Sequence, residues 1–152
     1  KTVSCIGDNV AWTIIAELKY QYNNSDNQII SPKAMVAHAG LSPREYSSGT
    51  SVRMKNHISR MGKSNLRKIL YMPVLNCAHK NACNYFSIFY QRLINNGKPK
   101  KVALVATMRK VLLTAVGVLK HQKEFDPNWA QKVREGYKYN SKVTSDKIIK
   151  AA

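Results

Sequence analysis

Apolar residues along the chain recur mostly at three- and four-residue spacing, which predicts helices. Val10, Ala11, Ile14, Ile15 and Leu18 form the first such stripe, with Gly7 or Asp8 as its N-terminal cap, and a polar loop, Asn23 to Asn27, follows. Ser31-Pro32 is a helix start, with serine at the cap and proline in the first turn, and that helix runs from Lys33 to Ala39 and stops at Gly40. Ser64 caps a third helix carrying Leu66, Ile69, Leu70 and, past Pro73, Val74 and Leu75; Pro73 is expected to kink it or split it in two. Asn81 caps a fourth, with Tyr85, Phe86, Phe89, Tyr90 and Leu93 on its apolar stripe and Gly97 at its end. Val102 to Leu119 is apolar on nearly all faces and is expected to be the central buried helix. Asp126-Pro127 caps a last helix to Val133 or Arg134. No β-alternation exceeds four residues, so the fold class is all-α. An N-terminal turn-and-helix element and a long central buried helix organise it.

A different kind of sequence stands between the second and third helices. Leu41-Ser42-Pro43 opens a loop, Tyr46-Ser47-Ser48-Gly49-Thr50-Ser51 reads as a hydroxyl-rich turn, and Arg53, Lys55, Arg60, Lys63, Arg67 and Lys68 follow. A serine turn beside that much positive charge suggests a nucleophile, or a clamp, working on a phosphate backbone.

Composition sharpens this. The 152 residues fit one domain with an appendage, and 44% hydrophobic content suffices for a core. The net charge of +17 opposes compaction and favours a polyanionic partner over a merely solubilising surface. Lys98, Lys100, Lys101, Arg109 and Lys110 add to the candidate nucleic-acid contacts. Because Arg109 and Lys110 interrupt the longest apolar run, no membrane attachment is expected. Cys5, Cys77 and Cys83 are odd in number and lack a small-domain spacing, which reads as reduced thiols in a cytosolic protein. Cys77, His79 and Cys83 fall short of a structural zinc set, and the acids are scattered singly, so no metal site is expected in this chain. His38, beside Ala37 and Ala39, reads as a packed or hydrogen-bonded residue. The chain opens at Lys1 in mid-motif, as a piece of a longer protein would.

Ser4-Cys5-Ile6-Gly7 resembles the hairpin of a helix-hairpin-helix DNA-binding motif, usually Pro-Gly-Ile-Gly. Its backbone N–H groups, with Gly7 nearest the helix, suit a DNA phosphate. A non-glycine at a position that calls for positive φ weakens that cradle.

Further landmarks follow in a fixed order. They are Ala37-His38-Ala39-Gly40-Leu41-Ser42-Pro43, Tyr46-Ser47-Ser48-Gly49, Ile58-Ser59-Arg60-Met61-Gly62-Lys63 and Leu66-Arg67-Lys68-Ile69-Leu70. Then come Tyr90-Gln91-Arg92-Leu93, Gly97-Lys98-Pro99-Lys100-Lys101 and Ala106-Thr107-Met108-Arg109-Lys110-Val111-Leu112. Together these resemble the C-terminal domain of the "one-ten" insertion-sequence transposases, the bridge-RNA-guided recombinases related to the Piv DNA invertases.

The resemblance implies a serine domain over residues 1–125. Residues 126–152 would be a C-terminal helix and basic tail, a candidate oligomerisation arm. It implies Ser48 as the catalytic serine, Gly49 as turn support, and a RuvC-like domain elsewhere in the parent protein holding Mg²⁺. Implied partners are DNA, a structured guide RNA and further copies of the protein, in the bacterial cytoplasm at the nucleoid. By composition alone Ser47 and Ser51 rival Ser48, and His57 is a candidate proton acceptor. The alternative readings are a helical nucleic-acid-binding module with an inert Ser48, and an assembly domain that dimerises through its buried helix or Tyr-rich tail. The isolated chain is expected to be inactive in recombination.

Overall fold

The computed structural model describes residues 3, 5–24, 31–44, 47–48, 52–53, 57–79 and 85–128. In chain order these form α1 (Asp8–Asn24), α2 (Pro32–His38), β1 (Pro43–Arg44), β2 (Ser47–Ser48), β3 (Val52–Arg53), β4 (His57–Ile58), α3 (Ser64–His79), α4 (Tyr85–Asn95) and α5 (Lys100–His121). Five helices and four two-residue strands make this an all-α domain, as the hydrophobic pattern predicts.

Helix α5 is the element on which α2, α3 and α4 pack. It buries Ala103, Leu104, Thr107, Met108, Val111, Leu112, Ala115 and Val116, a broad stripe that recurs every four residues. The Thr107 hydroxyl donates to the Ala103 carbonyl at 2.8 Å, so the one polar side chain in that stripe is satisfied. By length and composition α5 could cross a bilayer, but this stripe is the core of the bundle. Opposite it, α3 contributes Leu66, Leu70, Val74 and Ala78, and α4 contributes Phe86 and Tyr90. Phe125, in the chain beyond α5, closes that end, its ring stacked 5.7 Å from Phe86 with Tyr85 edge-on to both.

Local signals hold where they are local. The Ser31 hydroxyl accepts from the Ala34 amide at 3.1 Å, and Pro32 opens α2. At its other end Gly40 has φ +67, with Gly40 N–H bonded to the Ala37 carbonyl and Leu41 N–H to the Val36 carbonyl. That pair of bonds is a Schellman cap. Gly97 closes α4 with the same pattern, through Ile94 and Leu93.

Three expectations are corrected and a fourth, that Pro73 kinks or splits its helix, loses its second alternative. Helix α1 continues through Asn23 and Asn24, which were expected in a loop; the rest of that polar stretch lies outside the described residues. Pro73 does not split α3, which runs unbroken from Ser64 to His79. Leu66, Leu70 and Val74 are each fully buried about it, and that packing outweighs the single backbone bond proline removes. Ser47 and Ser48 lie on a strand rather than in a turn. Finally, Cys5 and Cys77 are not separate thiols but a disulfide, with Cα atoms 5.9 Å apart across a sequence separation of 72. Spacing could not show this, because only the packing of α1 on α3 brings the N-terminal turn over the end of α3. It also engages Cys77 outside any zinc set. The helices expected from Asn81 and beyond Asp126 involve residues outside the described ones, although the Asp126 carboxylate does accept from the Asn128 amide at 2.8 Å.

Candidate catalytic ribbon and nucleic-acid interface

Two nested antiparallel ladders rise from the end of α2. Pro43 pairs with Ile58 and Arg44 with His57; further out, Ser47 pairs with Arg53 and Ser48 with Val52. Two-residue ladders have little stability of their own, so the ribbon depends on how it is rooted. The root is well bonded. Ser59 N–H donates to the Ser42 carbonyl at 2.9 Å, Arg60 N–H to Gly40 at 3.2 Å, and Lys63 N–H to His38 at 2.9 Å. Arg67 Nη1 donates to the Ala39 carbonyl at 2.8 Å and to the Gly62 carbonyl at 3.3 Å. Each of the last four carbonyls of α2 and its cap, Val36 to Ala39, therefore has a partner.

The root is also tight. A Cβ on Gly62 would lie 2.2 Å from the His38 carbonyl oxygen and 2.8 Å from the Gly40 nitrogen, both backbone atoms. Gly62→Ala is therefore expected to destabilise the chain by about 2–3 kcal/mol, the range for overpacking, as measured by chemical denaturation. A cost below about 0.5 kcal/mol would mean that the root is looser than this geometry.

An ionic cluster flanks the root. Glu17 of α1 places Oε2 3.3 Å from both His38 Nε2 and Lys63 Nζ, with its side chain 13% exposed. His38 is thus a hydrogen-bonded residue, as its setting predicts. The role of Glu17 was not legible in the sequence, where it is one polar residue on an amphipathic helix.

The expected phosphate contacts fall into distinct settings. Arg53 lies on β3 opposite Ser47, while Gly49, Lys55 and Ser51 lie outside the described residues. Arg60 and Lys68 are exposed; Lys63 meets Glu17; and Arg67 is half-buried against backbone carbonyls. Lys98, Lys100 and Lys101 are exposed in the turn leading into α5 and in its first turn. Arg109 and Lys110 are half-buried on α5, with the Lys110 ammonium 5.6 Å from the Tyr85 ring centre and 5.9 Å from that of Phe89. Those cation–π contacts explain how α5 carries a lysine amid apolar residues. His57 stands opposite Arg44 in the inner ladder. No Asp or Glu occurs in the sequence between Glu45 and Glu124, so the part of the ribbon from β2 onward, α3, α4 and α5 form an acid-free stretch.

At the N-terminus, Ile6 N–H bonds to the Val3 carbonyl at 3.2 Å, and Cys5 has φ +84. This is the φ of the third residue of a type II turn, where glycine is usual. Gly7 caps α1, its carbonyl accepting from Ala11 N–H at 3.0 Å, and it is exposed. Among the described residues, no group of three or more His, Cys, Asp or Glu converges to hold a metal.

The helical body thus roots a serine-bearing ribbon, most of it in an acid-free, cation-rich stretch of the chain. Residues 1–91 match the family model described as "Transposase IS116/IS110/IS902 family", and the chain belongs to that family. It is also 33% identical over 96 residues to the pilin gene-inverting proteins of Moraxella lacunata and Moraxella bovis, an alignment covering 63% of this chain and 30% of each relative. The chain thus spans about three-tenths of the length of these curated relatives. The family match covers α1, α2, the ribbon, α3 and most of α4.

Proposed function

We propose that this chain is the serine-bearing part of a DNA transposase, with Ser48 as nucleophile. The observation that supports it best is the ribbon itself: a serine pair on β2 faces Arg53 and Val52 on β3 in the acid-free stretch of a transposase-family chain.

The Ser48 Oγ attacks a backbone phosphorus, forming a Ser–O–P bond and breaking one P–O bond of the strand. The displaced deoxyribose oxygen leaves as a hydroxyl and takes up a proton, and the serine proton passes to a base. Attack on the phosphoserine by another strand's hydroxyl reverses the bond changes and rejoins DNA without ATP. Arg53, Lys55 and Arg60 neutralise the non-bridging oxygens as charge shifts in the transition state. Gly49 lets the turn approach the backbone, and Gly7 with the Val3–Ile6 turn contacts a second phosphate. The remaining cations, Lys63, Lys68, Lys98, Lys100, Lys101, Arg109 and Lys110, supply the broader attraction to DNA and to a guide RNA.

The reading includes a RuvC-like domain of the parent protein, carrying Mg²⁺, and assembly of several copies around paired duplexes. It places the work in the bacterial cytoplasm, at the nucleoid. The 152-residue chain alone is expected to bind DNA at low salt and to recombine none. The test incubates the parent protein, with its RNA, with donor-site DNA and digests the denatured product. A phosphodeoxynucleotide on a peptide containing Ser48 supports the reading. DNA bound without any covalent adduct overturns it in favour of a binding module.

A further inference from the structure

We propose that Arg67 is a positioning residue for Ser48 rather than a phosphate ligand: its guanidinium clamps the two roots of the ribbon and so fixes where the serine stands. The inference rests on the serine reading above.

The ribbon leaves the helical body just after Ala39 and re-enters it at Gly62. Arg67 Nη1 donates to one carbonyl on each side, Ala39 at 2.8 Å and Gly62 at 3.3 Å. These bonds are charge-assisted, stronger than those between neutral groups. The arginine is itself firmly mounted. It sits in the first turn of α3 beside Leu66, which is fully buried in the core. Gly40 leaves it room, since a Cβ there would lie 2.6 Å from the same Nη1 atom. The nitrogen that makes both bonds is thus engaged by the root on two sides, whereas a phosphate ligand needs its donors directed to the phosphate.

The ribbon's own ladders are only two pairs each, so they cannot hold the serine's angle if the root turns. A displacement of about 1 Å at the reacting atoms can cost about 100-fold in rate. Lysine can replace this arrangement only in part: one ammonium nitrogen can donate to both carbonyls, but on a flexible stem without the fixed geometry of the guanidinium.

The experiment uses the parent protein with its RNA and donor DNA, and compares wild type, Arg67→Met and Arg67→Lys. Single-turnover adduct formation at saturating DNA is measured alongside Kd, its salt dependence and the melting temperature. Arg67→Met is expected to slow adduct formation about 100-fold with Kd within about twofold, and Arg67→Lys to recover part of that loss. If Arg67→Met does not fold, a slowed, folded Arg67→Lys carries the same conclusion.

The proposal is overturned if affinity falls, the salt slope flattens by about 0.9 and the saturating rate is unchanged, since that is a phosphate contact. It is overturned equally if neither rate nor affinity moves, or if activity falls only in step with melting temperature. Absence of any adduct with wild type is a separate outcome. It removes the serine reading and this inference with it.

Discussion

Ser48→Ala in the full-length parent protein abolishes the denaturant-resistant protein–DNA adduct, on the proposed mechanism, and leaves DNA affinity within about twofold. Removing a serine nucleophile from an enzyme lowers turnover by on the order of 10⁶-fold, so any residual strand exchange should be undetectable. Binding should survive because the substitution changes no charge. Affinity for DNA in a chain of net charge +17 is carried by its many cations, and the salt slope counts phosphates contacted rather than hydroxyls. The same comparison separates Ser48 from its neighbours. Ser47 pairs with Arg53 and Ser48 with Val52, so the two serines occupy adjacent rungs of one ladder. An adduct that persists in Ser48→Ala and disappears in Ser47→Ala would move the nucleophile by one rung and keep the ribbon. An adduct that persists in both would point to Ser51 or away from the ribbon altogether.

What the sequence could disclose followed the range of the interactions concerned. The ends of α2 and α4 were legible because a Schellman cap joins residues only three and five apart, and a glycine marks it. The central place of α5 was legible because a helix apolar on nearly all faces has few other uses, though not which face it buries. The ribbon was not. Its strands are two residues long, too short for alternation to register, and its root is made by bonds between positions about 17 to 28 apart, such as Ser42 with Ser59 and Ala39 with Arg67. Charge alone is silent about setting in the same way. Lys63, Arg67 and Lys110 all read as candidate phosphate contacts, yet the fold sets them against a carboxylate, two carbonyls and two aromatic rings. A basic residue declares its sign in the sequence, but its partner only in three dimensions. Pro73 is the converse, a strong local signal overridden by the core contacts on either side of it.

Reducing the Cys5–Cys77 bond should lower the stability of the chain by about 4 kcal/mol, the chain-entropy value for a link spanning 72 residues. Against a typical total of about 5–15 kcal/mol, that is a large fraction. The backbone at Cys5 adds a second effect of opposite sign. With φ +84, Cys5 occupies a conformation that costs an L-residue about 1–2 kcal/mol and glycine almost nothing. Cys77→Ser therefore loses the link and keeps the strain, about 4 kcal/mol in all. Cys5→Gly loses the link but relieves the strain, and should lose only about 2–3 kcal/mol. Urea denaturation of the 152-residue chain with and without a phosphine reductant measures both. Wild type should shift on reduction, and neither variant should. If Cys5→Gly and Cys77→Ser prove equally unstable, the left-handed turn carries no strain of its own. If wild type does not respond to reductant, the two sulfurs are not bonded in solution. A reducing environment would open such a link, leaving the Val3–Ile6 turn held by packing and its backbone bond. The thiol state of this pair would then govern how firmly the proposed phosphate-binding hairpin is fixed to α3, and the Cys5→Gly variant is the form in which that hairpin no longer depends on it.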